Sequence, residues 1–157
     1  DRVDDSGVVN YAEVGGELWT EQLFNGNGYV EFSGDGTGDD GNIGWLITPV
    51  FDLTGATDAY INFKLAQHHL DDEDNNTLEV FVSTDFDGTN VTAATWEKQN
   101  VVVPGEDIRW YAFQDVGLID VSSYSGNLYV AFKYIGSGTD TSLDGGYFVD
   151  DVLFLKK

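Results

Sequence analysis

The segment Tyr60-Ile61-Asn62-Phe63-Lys64-Leu65 alternates apolar and polar side chains with a period of two. Asn127-Leu128-Tyr129-Val130-Ala131-Phe132-Lys133-Tyr134 does the same over a longer run. That period puts every second side chain on one face, the pattern of a half-buried strand. Outward from these two segments, Thr77 to Ser83 and Gly146 to Phe154 repeat it. Val8 to Glu13, Tyr29 to Phe32, Gly44 to Ile47, Trp96 to Val103 and Trp110 to Phe113 are further candidate strands, rich in β-branched and aromatic residues. Between them stand turn signals such as Asn25-Gly26, Asp35-Gly36, Asp87-Gly88, Pro104-Gly105 and Asp144-Gly145. No stretch carries a helical stripe, and Asp120 to Tyr124 forms one turn at most. About nine short strands predict an all-β fold, an antiparallel two-sheet β-sandwich (jelly roll) with no long helix. No linker or repeat divides residues 1–157, which are expected to form a single β-sandwich domain.

Aspartate and glutamate number 28 against 7 lysines and arginines, for a formal net charge of -21. Nucleic acid and anionic lipid both require a basic surface, so neither is an expected partner. No apolar run approaches the ~20 residues of a membrane span, and membrane insertion is not expected. Asp1 does not open a secretory leader; a leader removed in processing is compatible with this. Cysteine is absent, which excludes disulfides and thiolate metal sites. A hard cation such as Ca2+, in a structural role, is the expected cross-link for so acidic a chain.

Six pieces of sequence, in order, carry a resemblance. They are Trp45-Leu46-Ile47-Thr48-Pro49, Tyr60 to Lys64, Leu78 to Asp85, Ile119 to Gly126, Tyr129 to Tyr134 and Tyr147-Phe148-Val149-Asp150-Asp151-Val152. Together they resemble the cleaved-adhesin or choice-of-anchor J domains of Bacteroidetes-type secreted and surface proteins, over roughly Trp19 to Leu155. Those domains are similar to MAM domains and to jelly-roll carbohydrate-binding modules. The resemblance implies an extracellular or cell-surface location within a multidomain parent protein. It also implies a structural calcium near the Asp150-Asp151 motif.

The candidate metal ligands are Asp150 and Asp151, with Asp35, Asp39 and Asp40 in a second loop. Paired acids in an otherwise apolar last strand break its alternation. One of them is expected to point toward the core side or the sheet end, where an unpaired charge is costly. The loop from Asp35 to Asn42 is not an EF-hand, because Asp40 and Leu46 stand where a glycine and a bidentate glutamate belong. Asp71-Asp72-Glu73-Asp74 reads as a solvated loop. His68 and His69 are the only histidines, and in a continuing strand they point to opposite sides.

Catalysis is not expected. Glycoside hydrolysis needs two facing carboxylates, one with a raised pKa, and most aspartates here sit in wet turns. No Gly-x-Ser-x-Gly nucleophile turn is present. Sugar rings, by contrast, stack on aromatic faces and take hydrogen bonds at their edges. Trp110 and Tyr111 are the expected stacking residues, with Trp96 in reserve and His68, Lys64 and Lys133 as polar partners. Trp45, Phe63, Val80, Phe132 and Phe148 read as core. Asn62, Lys64, Ala66 and His68 share one strand face, and Tyr129, Ala131 and Lys133 share another. If the two faces coincide, two lysines meet beside Tyr129; otherwise the lysines bridge to Glu79 in a solvated sheet. The expected function is a non-catalytic carbohydrate-binding module for a neutral polysaccharide. The alternatives are an adhesin or protein-interaction module without glycan specificity, a purely structural domain, and a hydrolase.

Overall fold

The structure, a computed structural model, describes residues 7–157. Twelve strands run in chain order: β1 (Val9–Val14), β2 (Thr20–Phe24), β3 (Asn27–Ser33), β4 (Asn42–Ile47), β5 (Phe51–Asp52), β6 (Ala59–His68), β7 (Thr77–Ser83), β8 (Glu97–Lys98), β9 (Gln114–Asp115), β10 (Ile119–Asp120), β11 (Asn127–Gly136) and β12 (Gly146–Lys156). Among the described residues the helical content is one 3-10 turn at Val91–Ala93. No helix among them is long and apolar enough to cross a membrane. The first sheet has the order β1-β4-β11-β7-β8, with β5 also on β11. The second has the order β10-β6-β12-β3-β2, with β9 also on β6. Every pairing is antiparallel. The chain changes sheet seven times, at β1–β2, β3–β4, β5–β6, β6–β7, β8–β9, β10–β11 and β11–β12, so each sheet's central strands come from distant sequence.

Alternation decides what lies between the sheets. Ile61, Phe63 and Leu65 of β6 face Leu128, Val130, Phe132 and Tyr134 of β11, all buried in one core with Trp19 and Phe32. Phe63 meets Phe132 edge to face at 4.9 Å, and Phe32 stacks on Tyr134 at 4.3 Å. Gly44 belongs to this packing, because a Cβ there would strike the Phe32 ring. Tyr134 donates its hydroxyl to the carbonyl of Gly145 at 2.7 Å, and burial pushes its pKa up to about 12. Burial raises the phenol of Tyr147 as well, and its hydroxyl donates to the carbonyl of Asn76 at 2.9 Å.

Two expected strands need correction, and one strand was not expected. Trp110 to Phe113 is not a strand: Tyr111 has φ 63°, in the left-handed region that breaks an extended run. Of Trp96 to Val103, only Glu97–Lys98 pairs as a strand. β2 carries no sequence signal because four of its five residues are exposed and no face is selected. It forms because Asn25 and Gly26, at φ 52° and 83°, close a tight hairpin onto β3.

Candidate functional site

Both sheets carry aromatics on their outer faces, and the two faces differ in how they are covered. On the first sheet, Trp45 packs against Phe81 and Trp96, and Phe86 against Trp96 and Tyr129. The loop from Thr84 to Trp96 closes this cluster, with Asp85 accepting from the backbone of Thr95 and the indole of Trp96 donating to the carbonyl of Val91. On the second sheet, the outer positions are Ala66 and His68 of β6, Phe148 of β12, and Tyr29 and Glu31 of β3. Register aligns Phe148 with Ala66 on one side and Glu31 on the other, and Gly146 with His68. Phe148 is therefore 2% exposed without belonging to the core between the sheets.

The segment Arg109 to Gln114 crosses over that floor. Gln67 anchors it: its Nε2 donates to the carbonyls of Gly105 and Ile108, and its own carbonyl accepts from the amide of Tyr111 at 2.8 Å. Tyr111 lies parallel to His68, with ring centroids 5.5 Å apart and planes 9° apart, and stacks on Phe148 at 5.7 Å. Trp110 sits on His69 at 3.9 Å. Phe113 meets Tyr29 at 5.6 Å and Phe148 at 6.0 Å. Trp110 and Tyr111 nonetheless remain 45% and 56% exposed. They border a cleft of about 610 Å³ whose walls include Tyr29, Phe113 and Phe148, with Asn27 and Arg109 as polar members.

His68 and His69 do not diverge as a continuing strand would make them. β6 ends at His68, and His69 has φ 50°, which turns its ring back to the same side. The two Nδ1 atoms are 2.8 Å apart, and His68 Nε2 lies 2.8 Å from Glu31 Oε1. A Cβ on Gly146 would run into the His68 ring, so that position admits the ring only as glycine. Among the non-glycine residues described, four have positive φ, and two of these, His69 and Tyr111, belong to this platform. Backbone strain of this kind persists where the surroundings impose it.

The structure brings Trp110, Tyr111 and His68 together and separates the other expected ligand residues. Trp96 packs on the outer face of the first sheet. Lys133 lies there too, with Nζ 5.0 Å from the ring centroid of Trp45. Lys64 shares the outer face of β6 with His68 and is paired with Asp151 at 2.6 Å, which raises its pKa. The faces bearing Lys64 and Lys133 thus lie on opposite sides of the sandwich. The lysine that bridges to Glu79 is Lys98, at 2.7 Å. His69, Tyr29, Glu31, Arg109, Phe113 and Phe148 were not expected at a site. Period-two spacing from Tyr29 to Glu31 was the one local signal; Phe148 gave none, since a covered outer position reads like core.

The five candidate metal ligands do not converge. Neither Asp150 nor Asp151 points into the core. The register shifts between Asp150 and Leu153, and Asp151 takes φ 50°, so both carboxylates stay at the surface. Asp150 accepts from Asn27 and from the Asp151 amide. Asp39 accepts from the amide of Gly16 and from Asn42, and Asp40 from Thr139. Among the described residues, no three histidine or acidic side chains are placed to hold a metal ion. As arranged, these aspartates cap amides and pair with a lysine; they do not form a cage. The segment from Asp71 to Asp74 lies in turns held by Asp72, in keeping with a solvated loop, while Leu70 and Asn76 on either side are buried.

The fold is similar to that of two solved cleaved adhesin domains. The K1 cleaved adhesin domain of Lys-gingipain from Porphyromonas gingivalis superposes with a TM-score of 0.60 at 19% identity, covering 98% of this chain and 93% of that one. The K3 cleaved adhesin domain of the same protein gives 0.53 at 19% identity, covering 96% and 91%. No family model matches the sequence. No curated protein matches it either.

Proposed function

We propose that this protein is a non-catalytic carbohydrate-binding module of a secreted or surface bacterial protein, holding a neutral polysaccharide on the Trp110–Tyr111 platform. The observation that carries this reading is the pair of half-exposed rings, each backed by a histidine ring and bordering one cleft. Rigidly backed rings offer stacking area at little entropic cost, and Arg109 and Asn27 supply polar groups for sugar hydroxyls. Glu31 is engaged by His68, so the arrangement suits retention better than acid–base cleavage. The net charge of -21 repels polyanions over a Debye length of ~8 Å at physiological salt, which favours a neutral glycan. The adhesin domains that share the fold support placement in a multidomain surface or secreted protein.

A second reading rests on β2. Leu23 and Phe24 are 76% and 67% exposed on an edge strand, an arrangement that suits a protein partner. Calcium stabilisation belongs to the proposal on grounds of charge. Burial and the nearby Asp35 and Asp71 push the Asp144 carboxyl up, the kind of crowding a bound cation relieves. Affinity electrophoresis in neutral and anionic polysaccharide gels tests the main reading. Retardation only by neutral gels is expected. Retardation by none, together with binding to a protein partner that Leu23→Ser abolishes, replaces it with the second reading.

A further inference from the structure

The contact between His68 and His69 constrains their protons. A nitrogen–nitrogen hydrogen bond at 2.8 Å requires one N–H and one lone pair. The ionised carboxylate of Glu31 only accepts, so Nε2 of His68 carries a proton toward it at 2.8 Å. With both rings neutral, Nδ1 of His68 is bare and accepts from Nδ1–H of His69. One further proton can enter at the exposed Nε2 of His69 while the shared proton passes to Nδ1 of His68. His68 is then an imidazolium donating to both neighbours, and the contact survives. A second added proton would set two N–H groups against each other, and the contact must break.

What rides on this contact is the platform. Trp110 rests on the ring of His69 and Tyr111 on that of His68. Both His69 and Tyr111 are held at positive φ, so neither segment rests in a relaxed backbone once its packing is lost. The charged and titratable groups around the pair and the rings it carries are Glu31 and Tyr29 from β3, Asp71 from the loop after β6, Glu106, Asp107, Arg109 and Tyr111 from the covering segment, and Asp144 from the segment before β12.

We propose that His68 and His69 act as a lock that accepts one added proton intact and is opened by a second, so that acid dismantles the Trp110–Tyr111 platform and releases its ligand. The ligand half rests on the reading of the platform given above; the lock does not. It is tested on the ligand-free protein by following the histidine ring resonances and the Trp110 indole N–H from about pH 8 to about pH 4. The indole is assigned by its absence in Trp110→Phe. The expected result is a coupled titration of the two rings, with the indole stationary through the first step and shifting with the second. In His69→Asn, chosen because asparagine tolerates positive φ, the indole should lose its pH dependence. Independent titration of the two rings overturns the lock, as does an indole that never moves or that keeps moving in His69→Asn. Retardation in galactomannan and hydroxyethylcellulose gels, measured on either side of the second step, should fall about tenfold, as for loss of one stacking contact. No retardation at either pH, beside an intact coupled titration, overturns the ligand half alone.

Discussion

Tyr111 and His68 lie with their ring planes 9° apart and centroids 5.5 Å apart, one ring largely open to solvent and the other covered. Forty-three positions separate them in sequence, and neither belongs to a regular element at the point of contact beyond the last residue of β6. Their stack depends on Gln67, the neighbour of His68, whose carbonyl accepts the Tyr111 amide and whose side chain ties down Gly105 and Ile108. One strand end thus sets both the floor of the platform and the position of its cover.

Exposure separates the aromatic variants. Trp110→Ala and Tyr111→Ala should each weaken glycan binding by roughly 1–3 kcal/mol, with only small changes in melting temperature. Trp96→Ala, in the covered cluster of the opposite sheet, should cost about 3–5 kcal/mol of stability and leave binding of the folded fraction unchanged. Affinity electrophoresis beside thermal melts checks both. Binding lost in Trp96→Ala but retained in the other two would place the site on the wrong sheet.

Gly146→Ala should destabilise the fold by about 1–3 kcal/mol, since the new methyl displaces the His68 ring. The displaced ring takes Tyr111 with it, so binding should fall as well. His68→Ala in the same background should recover stability without recovering binding. A single Gly146→Ala variant as stable as the parent would mean that the ring moves freely.

Asp144 gives a pH dependence whose sign is fixed. Burial, then Asp35 and Asp71, hold its carboxyl above the usual range. The folded state then binds this proton more tightly than the unfolded chain, so ionisation erodes stability as pH rises through the carboxylate range. Asp144→Asn should melt higher than the parent near neutral pH, and the advantage should vanish below about pH 4. An advantage that persists unchanged in acid would point to packing instead of charge.

Calcium bound to the native state stabilises it by mass action, by about 2.7 kcal/mol at a hundredfold excess over Kd, and so raises the melting temperature. Chelation should lower the melting temperature and calcium should restore it. Because Asp150 and Asp151 are already engaged by Asn27, a backbone amide and Lys64, Asp150→Asn should leave that response intact. No metal in the purified protein and no change on chelation would remove calcium from the proposal.

The sequence by itself determined the strands with a buried face. In β6 the inward Ile61, Phe63 and Leu65 and the outward Asn62 and Lys64 follow from alternation alone, because along this stretch one side of the strand is dry and the other is not; at Ala66 and His68 the outer side is covered as well. Asn25-Gly26 determined a tight turn for a similarly local reason, a backbone conformation that few residues adopt cheaply. The choice of Trp110, Tyr111 and His68 was also within reach of the sequence, as rings and a polar group flanked by charge. Tertiary structure alone decided which of these surfaces meet. Lys64 and Lys133 occupy equivalent outward positions in their strands, yet β6 and β11 belong to different sheets, and a pattern of two cannot say which sheet a strand joins. Phe148 is as buried as a core residue, but its cover is a segment some forty residues earlier rather than the facing sheet. His69 escapes prediction because alternation holds only while the backbone stays extended, and at φ 50° the ring returns to the side of its neighbour. Strand faces are set by contacts with solvent, which each residue meets locally; the site is set by pairings between distant segments, whose energies appear only once the chain has closed on itself.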